Sequence, residues 1–530
     1  MGIAWSRLMR LWWSGRGDTS SMVAAPVPAP TPEFDVSKEK EPPSGPSTME
    51  LRLMVQTDIP SQTSILVDGK HWTLSEPLDI ESGSPPPYVC VSYVWGQGRT
   101  TNPIHPSITM SDRTLSTFTA AARCVPGRPI WIDAFCVPVE RMKKRATLES
   151  LGFIFARCEA VVAVLARKSM AAVEEMEAFL QIEPRPQEVP SASLEALEAD
   201  EWIRSVWTYQ EIVNCPSLWF VSQHREGTEP RKAISGSDAL SIIGNYLNRW
   251  GQAGREGRKI LHGVRNVYPH ADDFQDLLAD WMTSDYATRA ALKIMSGMNE
   301  RTHIAPANYF YSMIGALTTQ PSARGTNPSI EELAEVFMEL CEQKGDYSFI
   351  FSAAPRDPRP GFRWRPVPCL LRSLIAWHIV GEGQDGERVE DGVLLKDVIV
   401  LPVSGGEQMN RNTEEFFQRA ITNFAEYFAF SEGDPEDMSP EERGYRILTA
   451  LKFSGCGGWC TTELGVFYPQ SQLSAGEATT ICIAQGVRWV FGAPAVAAVS
   501  LDSEHAIHYV PGIFIGDLDR SIPKTTFLLR

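Results

Sequence analysis

Short hydrophobic runs alternate with longer amphipathic runs between residues 88 and 225. The short runs predict strands buried on both faces, and the amphipathic runs predict helices. The predicted strands are Tyr88–Tyr93, Ile130–Cys136, Ala160–Leu165 and Leu218–Val221, and the predicted helices are Leu115–Cys124, Arg141–Arg157, Met170–Gln181 and Asp200–Glu211. This order predicts an α/β domain in which helices flank a parallel sheet.

The segment Asp200–Glu211 predicts one amphipathic helix. Asp200 is a suitable N-cap, and neither Gly nor Pro follows until Pro216. Helical periodicity puts four side chains on one stripe: Arg204, Trp207, Thr208 and Glu211. Two interpretations stay open, an ordinary helix with a solvated Glu211 and a helix that presents Glu211 to a binding site.

Four further regions surround this domain. Residues 49–87 predict a hairpin that leads into it, with Asp68-Gly69 as the turn. Residues 226–386 are mainly helical, and residues 387–530 are rich in short strands. Either a regulatory or partner-binding cap or a structural extension explains this second half. Residues 1–48 form a Pro-, Ala- and Ser-rich tail that we predict to be disordered.

The first residues, Met1–Ser6, fit the pattern M-G-x-x-x-[ST], which predicts lipidation of Gly2. Nearby Arg and Trp residues would add a second membrane signal. A mitochondrial presequence and an unmodified tail are the alternatives. Cytoplasmic location, with peripheral membrane attachment through the N-terminus, is the expectation.

Composition and missing motifs argue against several classes of function. A net charge of −16 argues against nucleic acid as a partner. Ten scattered cysteines indicate reduced thiols, and Cys456 and Cys460 lack a second ligand pair, so we predict no metal site. The phosphate loop, dinucleotide, zinc protease and serine hydrolase motifs are missing, and no bound cofactor is predicted.

The expected ligand site lies where the parallel strands end, because ligands bind at the carboxyl ends of such strands. Tyr93 and Trp95 follow the first strand, and Asp133 lies near the end of the second. Structural roles are the alternative: Trp95-Gly96 turns the chain, Asp133 caps a helix, and Arg204 pairs with Asp200 or Glu201.

Four ordered blocks carry a family resemblance. They are Tyr88-Val-Cys-Val-Ser-Tyr-Val-Trp-Gly96, Pro129-Ile-Trp-Ile-Asp-Ala-Phe-Cys136, Phe153-Ile-Phe-Ala-Arg-Cys-Glu-Ala-Val-Val-Ala-Val-Leu165 and Trp202-Ile-Arg-Ser-Val-Trp-Thr-Tyr-Gln-Glu211. Together they resemble the fungal heterokaryon incompatibility (HET) domain, across about residues 88–225. Pro138 and Val139 depart from the family pattern, which usually has Asn-Gln there, and Phe155 replaces a frequent Tyr.

The resemblance implies a TIR-like, flavodoxin-like fold and a role in fungal self/non-self recognition, cell death and innate immunity. By analogy with TIR domains, Glu211 would act in NAD cleavage. Tyr93 and Trp95 would stack on a flat ring, Asp133 would add a polar contact, and Arg204 or Arg99 would face the pyrophosphate.

Two alternatives to an enzyme remain. The first is a non-catalytic signalling protein that acts through partners or self-association of the HET domain. The second is a diverged member that keeps the fold without ligand binding.

Overall fold

A computed structural model gives the architecture of the chain. The described residues are 49–60, 63–78, 85–182, 191–223, 232–252, 267–302, 305–318, 328–375, 379–404, 409–423, 438–453, 455, 458–473, 478–489, 491–501, 506–518 and 522–530. The predicted tail, its lipidation candidate Gly2 and Cys456 lie outside the described residues.

The N-terminal sheet has eight strands in the order β10-β9-β8-β4-β7-β1-β3-β2. The strands are β1 Met54–Thr57, β2 Ile65–Val67, β3 Lys70–Leu74, β4 Val89–Ser92, β7 Ile130–Trp131, β8 Ala160–Leu165, β9 Leu218–Ser222 and β10 Ile234–Ser235; β5 Arg99–Thr101 and β6 Thr109–Ser111 form a separate ribbon. Only β9, β8, β4 and β7 are mutually parallel.

The four predicted strands are parallel, as expected, but antiparallel strands extend the sheet at both edges. β10 pairs antiparallel with β9, and the lead-in strand β1 pairs antiparallel with β7. The hairpin of β2 and β3 turns at Asp68-Gly69, where both residues have positive φ, as a two-residue hairpin turn requires. The resulting sheet is mixed, and helices flank it.

Nine described helices accompany this sheet. They are α1 Thr114–Cys124, α2 Asp133–Cys136, α3 Arg141–Glu149, α4 Leu151–Arg157, α5 Arg167–Leu180, α6 Ala192–Glu198, α7 Glu201–Arg204, α8 Trp207–Val213 and α9 Gly236–Gln252. The predicted strand at 130–136 is thus only two residues long, because the chain turns into α2 at Asp133. The predicted helix at 141–157 is divided at Ser150.

The predicted single helix Asp200–Glu211 is also wrong, because it is two short helices. Asp200 does cap α7, and its carboxylate accepts a hydrogen bond from the backbone N–H of Trp202 at 2.8 Å. The chain then becomes extended at Ser205, with φ −73° and ψ 139°, before α8 begins. The proposed stripe from Arg204 to Glu211 therefore does not exist as one helical face.

The middle region is helical, as predicted. Its helices are α10 Pro269–Thr283, α11 Ala291–Met298, α12 Pro306–Leu317 and α13 Ile330–Lys344. Ser329 and Glu332 form a capping box at the start of α13, and Gly345 ends that helix with a φ of +77°.

The C-terminal region is rich in strands, as predicted. They form an antiparallel sheet with order β12-β13-β16-β18-β19-β15-β14 and β20 beside β13. Its elements are β12 Gly386–Val389, β13 Gly392–Pro402, α14 Arg411–Asn423, α15 Pro440–Ala450, β14 Cys460–Thr461, β15 Gly465–Pro469, β16 Ala478–Ile483, β18 Gly492–Leu501, β19 Ala506–Gly516 and β20 Thr525–Leu529; β11 Val380–Gly381 pairs separately with β17 Val487–Arg488.

A buried carboxylate joins the middle region to the C-terminal sheet. Asp346 accepts hydrogen bonds from the backbone N–H groups of Ala291, Ser348 and Gln384, and from the Ser348 hydroxyl. The main hydrophobic core is likewise continuous from the N-terminal sheet to residues such as Cys482 and Tyr509. Within the described residues, none of the helices combines the length and the apolar character that crossing a membrane requires.

Candidate functional site

Glu211 lies at the carboxyl end of β4, where Ser92 holds it. The Ser92 hydroxyl donates a hydrogen bond to Oε2 of Glu211 at 2.5 Å, and the indole N–H of Trp202 donates to the same hydroxyl oxygen at 2.7 Å. An indole N–H can only donate, so Ser92 accepts from Trp202 and directs its own proton to Glu211. Ser92 and Trp202 are buried, whereas Glu211 is partly exposed.

A second carboxylate lies beside this group. The indole N–H of Trp95 donates a hydrogen bond to Oδ2 of Asp133 at 2.7 Å, and Oδ1 accepts from the backbone N–H of Ala134 at 2.6 Å. Asp133 is the first residue of α2, where the helix dipole favours negative charge. Both Trp95 and Asp133 are partly exposed.

Aromatic and cationic groups lie around the two carboxylates. The Tyr93 hydroxyl lies 3.0 Å from the Thr114 hydroxyl, and burial and the negative charge of Asp133 raise its pKa. The guanidinium of Arg99 lies 5.5 Å from the centre of the Trp95 ring. It also donates to the carbonyl groups of Gly96 and Gly98, which fixes its orientation.

Burial changes the acidity of both carboxyl groups. It raises the pKa of Glu211 to about 8; the negative charge of Asp133 adds to this rise, and the hydrogen bond from Ser92 opposes it. Burial also raises the pKa of Asp133, against the hydrogen bonds from Trp95, Ala134 and Tyr93. Two neighbouring, partly exposed acids with raised pKa are typical of a functional site.

The structure brings together four of the five predicted ligand-site residues: Tyr93, Trp95, Asp133 and Glu211. Arg204 lies apart from them. Its charge acts instead on Glu198 and His270, and its backbone carbonyl accepts from the N–H of Thr302 at 2.7 Å. Arg204 does not pair with Asp200 or Glu201 either, since Glu201 forms its ion pair with Arg113.

The sequence analysis missed the roles of Ser92 and Trp202. Ser92 lies at the end of the predicted strand, next to Tyr93, so its position near the site could have been predicted. Its hydrogen bond to Glu211, 119 residues away, could not be predicted from the spacing of residues. Among the described residues, no three His, Cys, Asp or Glu side chains are grouped to hold a metal ion. The arrangement suits a polar organic ligand that gains positive charge beside Glu211.

Comparison with known proteins gives one match. Residues 88–211 match the model of the family described as Heterokaryon incompatibility protein (HET). No curated protein and no solved structure matches the chain. The matched segment contains all the residues described around the two carboxylates: Ser92, Tyr93, Trp95, Arg99, Asp133, Trp202 and Glu211. Residues 88–211 of this chain are therefore a HET domain, of the heterokaryon incompatibility family.

Proposed function

We propose that the HET domain cleaves the N-glycosidic bond of NAD, with Glu211 as the catalytic carboxylate. The observation that carries this proposal is the position of Glu211: it is recessed at the carboxyl end of β4, held by Ser92 and within electrostatic reach of Asp133. A residue used only for self-association would not need a buried hydroxyl to orient its carboxylate.

The reaction breaks the bond between ribose C1′ and the nicotinamide nitrogen. The bonding electrons leave with nicotinamide, which becomes neutral, and positive charge develops on the ribose. Glu211 in its ionised form stabilises that charge. A water oxygen then bonds to C1′, and one water proton passes to solvent, so that the products are ADP-ribose, nicotinamide and a proton.

The neighbouring residues have binding roles in this proposal. Tyr93 and Trp95 provide flat rings for the base, and Asp133 accepts a polar group of the substrate. The pyrophosphate contact belongs to Arg99 rather than Arg204, because Arg99 lies against Trp95 while Arg204 lies near Glu198. NAD enters as a substrate and not as a bound cofactor.

The biological role follows from the family. A HET domain points to a heterokaryon-incompatibility-type function, and we extend this to an effector of cell death in fungal self/non-self recognition. Depletion of NAD supplies a chemical cause of death that needs no further enzyme. Peripheral membrane attachment through Gly2 remains a separate proposal, which an acyl-transfer assay on the peptide of residues 1–20 tests.

The test is NAD consumption by the purified full-length chain, wild type against Glu211→Gln. We expect at least about a 100-fold loss of kcat, because the charge that stabilises the transition state is gone. Glu159→Gln is the matched control, since this exposed glutamate precedes β8 and pairs with Arg128. It should consume NAD at the wild-type rate.

The outcomes separate the proposal from its alternative. Equal NAD consumption by wild type and Glu211→Gln contradicts a catalytic Glu211. No consumption under conditions in which the protein self-associates contradicts the enzyme and favours a non-catalytic signalling protein that acts through HET-domain assembly. Light scattering on the same samples measures the assembly.

A further inference from the structure

The break between α7 and α8 is held by residues that lie outside the matched segment. One terminal nitrogen of Arg301 donates to the backbone carbonyls of Ile203 and Ser205, at 3.0 and 3.1 Å. The same nitrogen donates to the Thr208 hydroxyl at 3.0 Å, in the first turn of α8. Carbonyl groups at the end of α7 have no partner within that helix, so Arg301 satisfies them.

Backbone pairing reinforces this contact. The N–H of Thr302 donates to the carbonyl of Arg204, and the N–H of Val206 donates back to the carbonyl of Thr302 at 3.2 Å. The hydroxyl of the buried Ser312, on α12, donates to the carbonyl of Val206 at 2.6 Å. Each of these bonds fixes the chain one turn before Glu211.

The buried face of α8 also packs closely on the middle region. The Tyr209 hydroxyl donates to Asp280 of α10 at 3.1 Å. A Cβ atom added to Gly297 would lie 2.7 Å from the Tyr209 ring, and one added to Gly315 would lie 1.8 Å from the Gln210 side chain. A side chain at either glycine would force the Tyr209 ring or the Gln210 side chain to shift, so the middle region packs tightly against this face of α8.

Arg301 is suited to this role by its chemistry. Its side chain is buried, and its guanidinium lies 5.7 Å from the centre of the Tyr209 ring. Asp273, Asp276 and Asp280 surround it on α10 and offset the cost of burying its charge. A planar guanidinium can contact several acceptors in fixed directions, which a lysine ammonium cannot reproduce.

We infer that Arg301 is a positioning residue for Glu211, and that the functional unit extends from the HET domain to about Leu317. Arg301 touches no substrate in this arrangement. It fixes the extended residue between α7 and α8, so that the Glu211 carboxylate reaches Ser92. Only the effect on kcat rests on the proposed NAD cleavage; the structural effect on α8 does not.

The experiment compares three variants of the full-length chain by hydrogen exchange and by kinetics. Arg301→Lys removes the directed contacts, and Ser312→Ala, a milder change, removes only the bond to Val206. Arg365→Lys is the matched control, because this buried arginine pairs with Glu335 and Glu342 on α13. Exchange is followed by mass spectrometry in peptides that cover residues 201–213.

We expect Arg301→Lys to speed exchange in these peptides at least about tenfold, with a smaller rise in Ser312→Ala and no rise in Arg365→Lys. The kcat for NAD should fall by about 10- to 100-fold with little change in KM, since a displaced catalytic group lowers the rate. If Arg301→Lys does not fold, the test is whether Ser312→Ala exchanges faster than the wild type at residues 201–213.

Three results would overturn the inference. They are unchanged exchange at 201–213 in both variants, an equal rise in Arg365→Lys, and faster exchange with an unchanged kcat. If the wild type does not consume NAD, the proposed function fails, but the exchange data still test whether the middle region holds α8.

Discussion

The Ser92 hydroxyl and Oε2 of Glu211 are 2.5 Å apart, although 119 residues separate them in the chain. This hydrogen bond joins the last residue of β4 to the middle of α8. It leaves Oε1 as the oxygen of Glu211 that Ser92 does not engage. The contact also passes through Trp202, so one buried chain of hydrogen bonds links α7, β4 and α8.

Replacing Ser92 by Ala should destabilise the protein by about 1–3 kcal/mol, because the buried indole N–H of Trp202 loses its acceptor. The pKa of Glu211 should rise further, since the hydrogen bond that opposes its rise is gone. Urea denaturation measures the first effect, and the pH profile of kcat/KM measures the second. In a protein that already carries Glu211→Gln, Ser92→Ala should change the free energy of unfolding by a different amount, because the two residues are coupled. Additive costs would show that the bond has no energetic role.

Activity should increase with pH if the ionised form of Glu211 is the working form. The pKa of Glu211 is about 8, so most free protein at pH 7 carries a protonated Glu211. We expect kcat/KM, which reports the free enzyme, to rise to a plateau above about pH 8. The corresponding rise in kcat should occur at lower pH, because the cationic nicotinamide ring favours the carboxylate. A kcat/KM that falls between pH 6 and 8 would contradict this role.

The same pKa makes a prediction for stability. Below pH 4.5 Glu211 is protonated in the folded and unfolded chains, so it contributes no pH dependence. Between pH 4.5 and about 8 only the folded chain keeps the proton, and stability therefore falls as pH rises. Glu211→Gln cannot ionise, so this fall in stability with rising pH should be absent from the variant. Its thermal midpoint should exceed that of the wild type by a margin that grows up to about pH 8; Glu159→Gln should show no such trend.

Asp133→Asn should shift the pH profile in the direction opposite to Ser92→Ala. Removing the negative charge of Asp133 lowers the pKa of Glu211, so the rise in kcat/KM should move to lower pH. The single amide oxygen of Asn can accept from Trp95 or from the N–H of Ala134 but not from both, so we expect a loss of stability of about 1–3 kcal/mol. An unchanged pH profile would mean that the two carboxyl groups do not interact.

Gly96→Ala should disturb the loop that carries Trp95. Gly96 has a φ of +65°, and a Cβ atom there would lie 2.6 Å from the Arg113 side chain. Left-handed strain costs about 1 kcal/mol, and displacement of Arg113 from Glu201 adds to it. Gly127→Ala is the control: its φ is +77°, but no atom lies within 4 Å. Equal losses in urea denaturation would show that Arg113 adjusts without cost.

The sequence predicted the parts of the fold that local periodicity determines. The buried run at Ala160–Leu165 is β8, and the turn at Asp68-Gly69 joins β2 to β3. The prediction was wrong where contacts between residues far apart in the chain determine the local backbone conformation. The extended residue at 205 is paired with Thr302, nearly a hundred positions away, and no local pattern encodes that pairing.

The same division holds for the site. Tyr93, Trp95 and Asp133 could be grouped in advance, because they follow strands that end at the same edge of a parallel sheet. The position of Arg204 could not be predicted, since the break at Ser205 rotates α7 away from α8. The order of strands that places Ser92 opposite Glu211 is likewise a property of the assembled sheet.

The antiparallel ribbon of β1 to β3 has a consequence for how copies of this chain can meet. β7 is only two residues long, and β1 covers its outer side through the pairing of Met54 with Ile130. On this side of the sheet the edge strand is therefore β2, where Leu66 is 64% exposed, and pairing with a second copy on this side would start there. Loss of the β1–β3 ribbon would leave the two-residue strand β7 as an edge of the sheet.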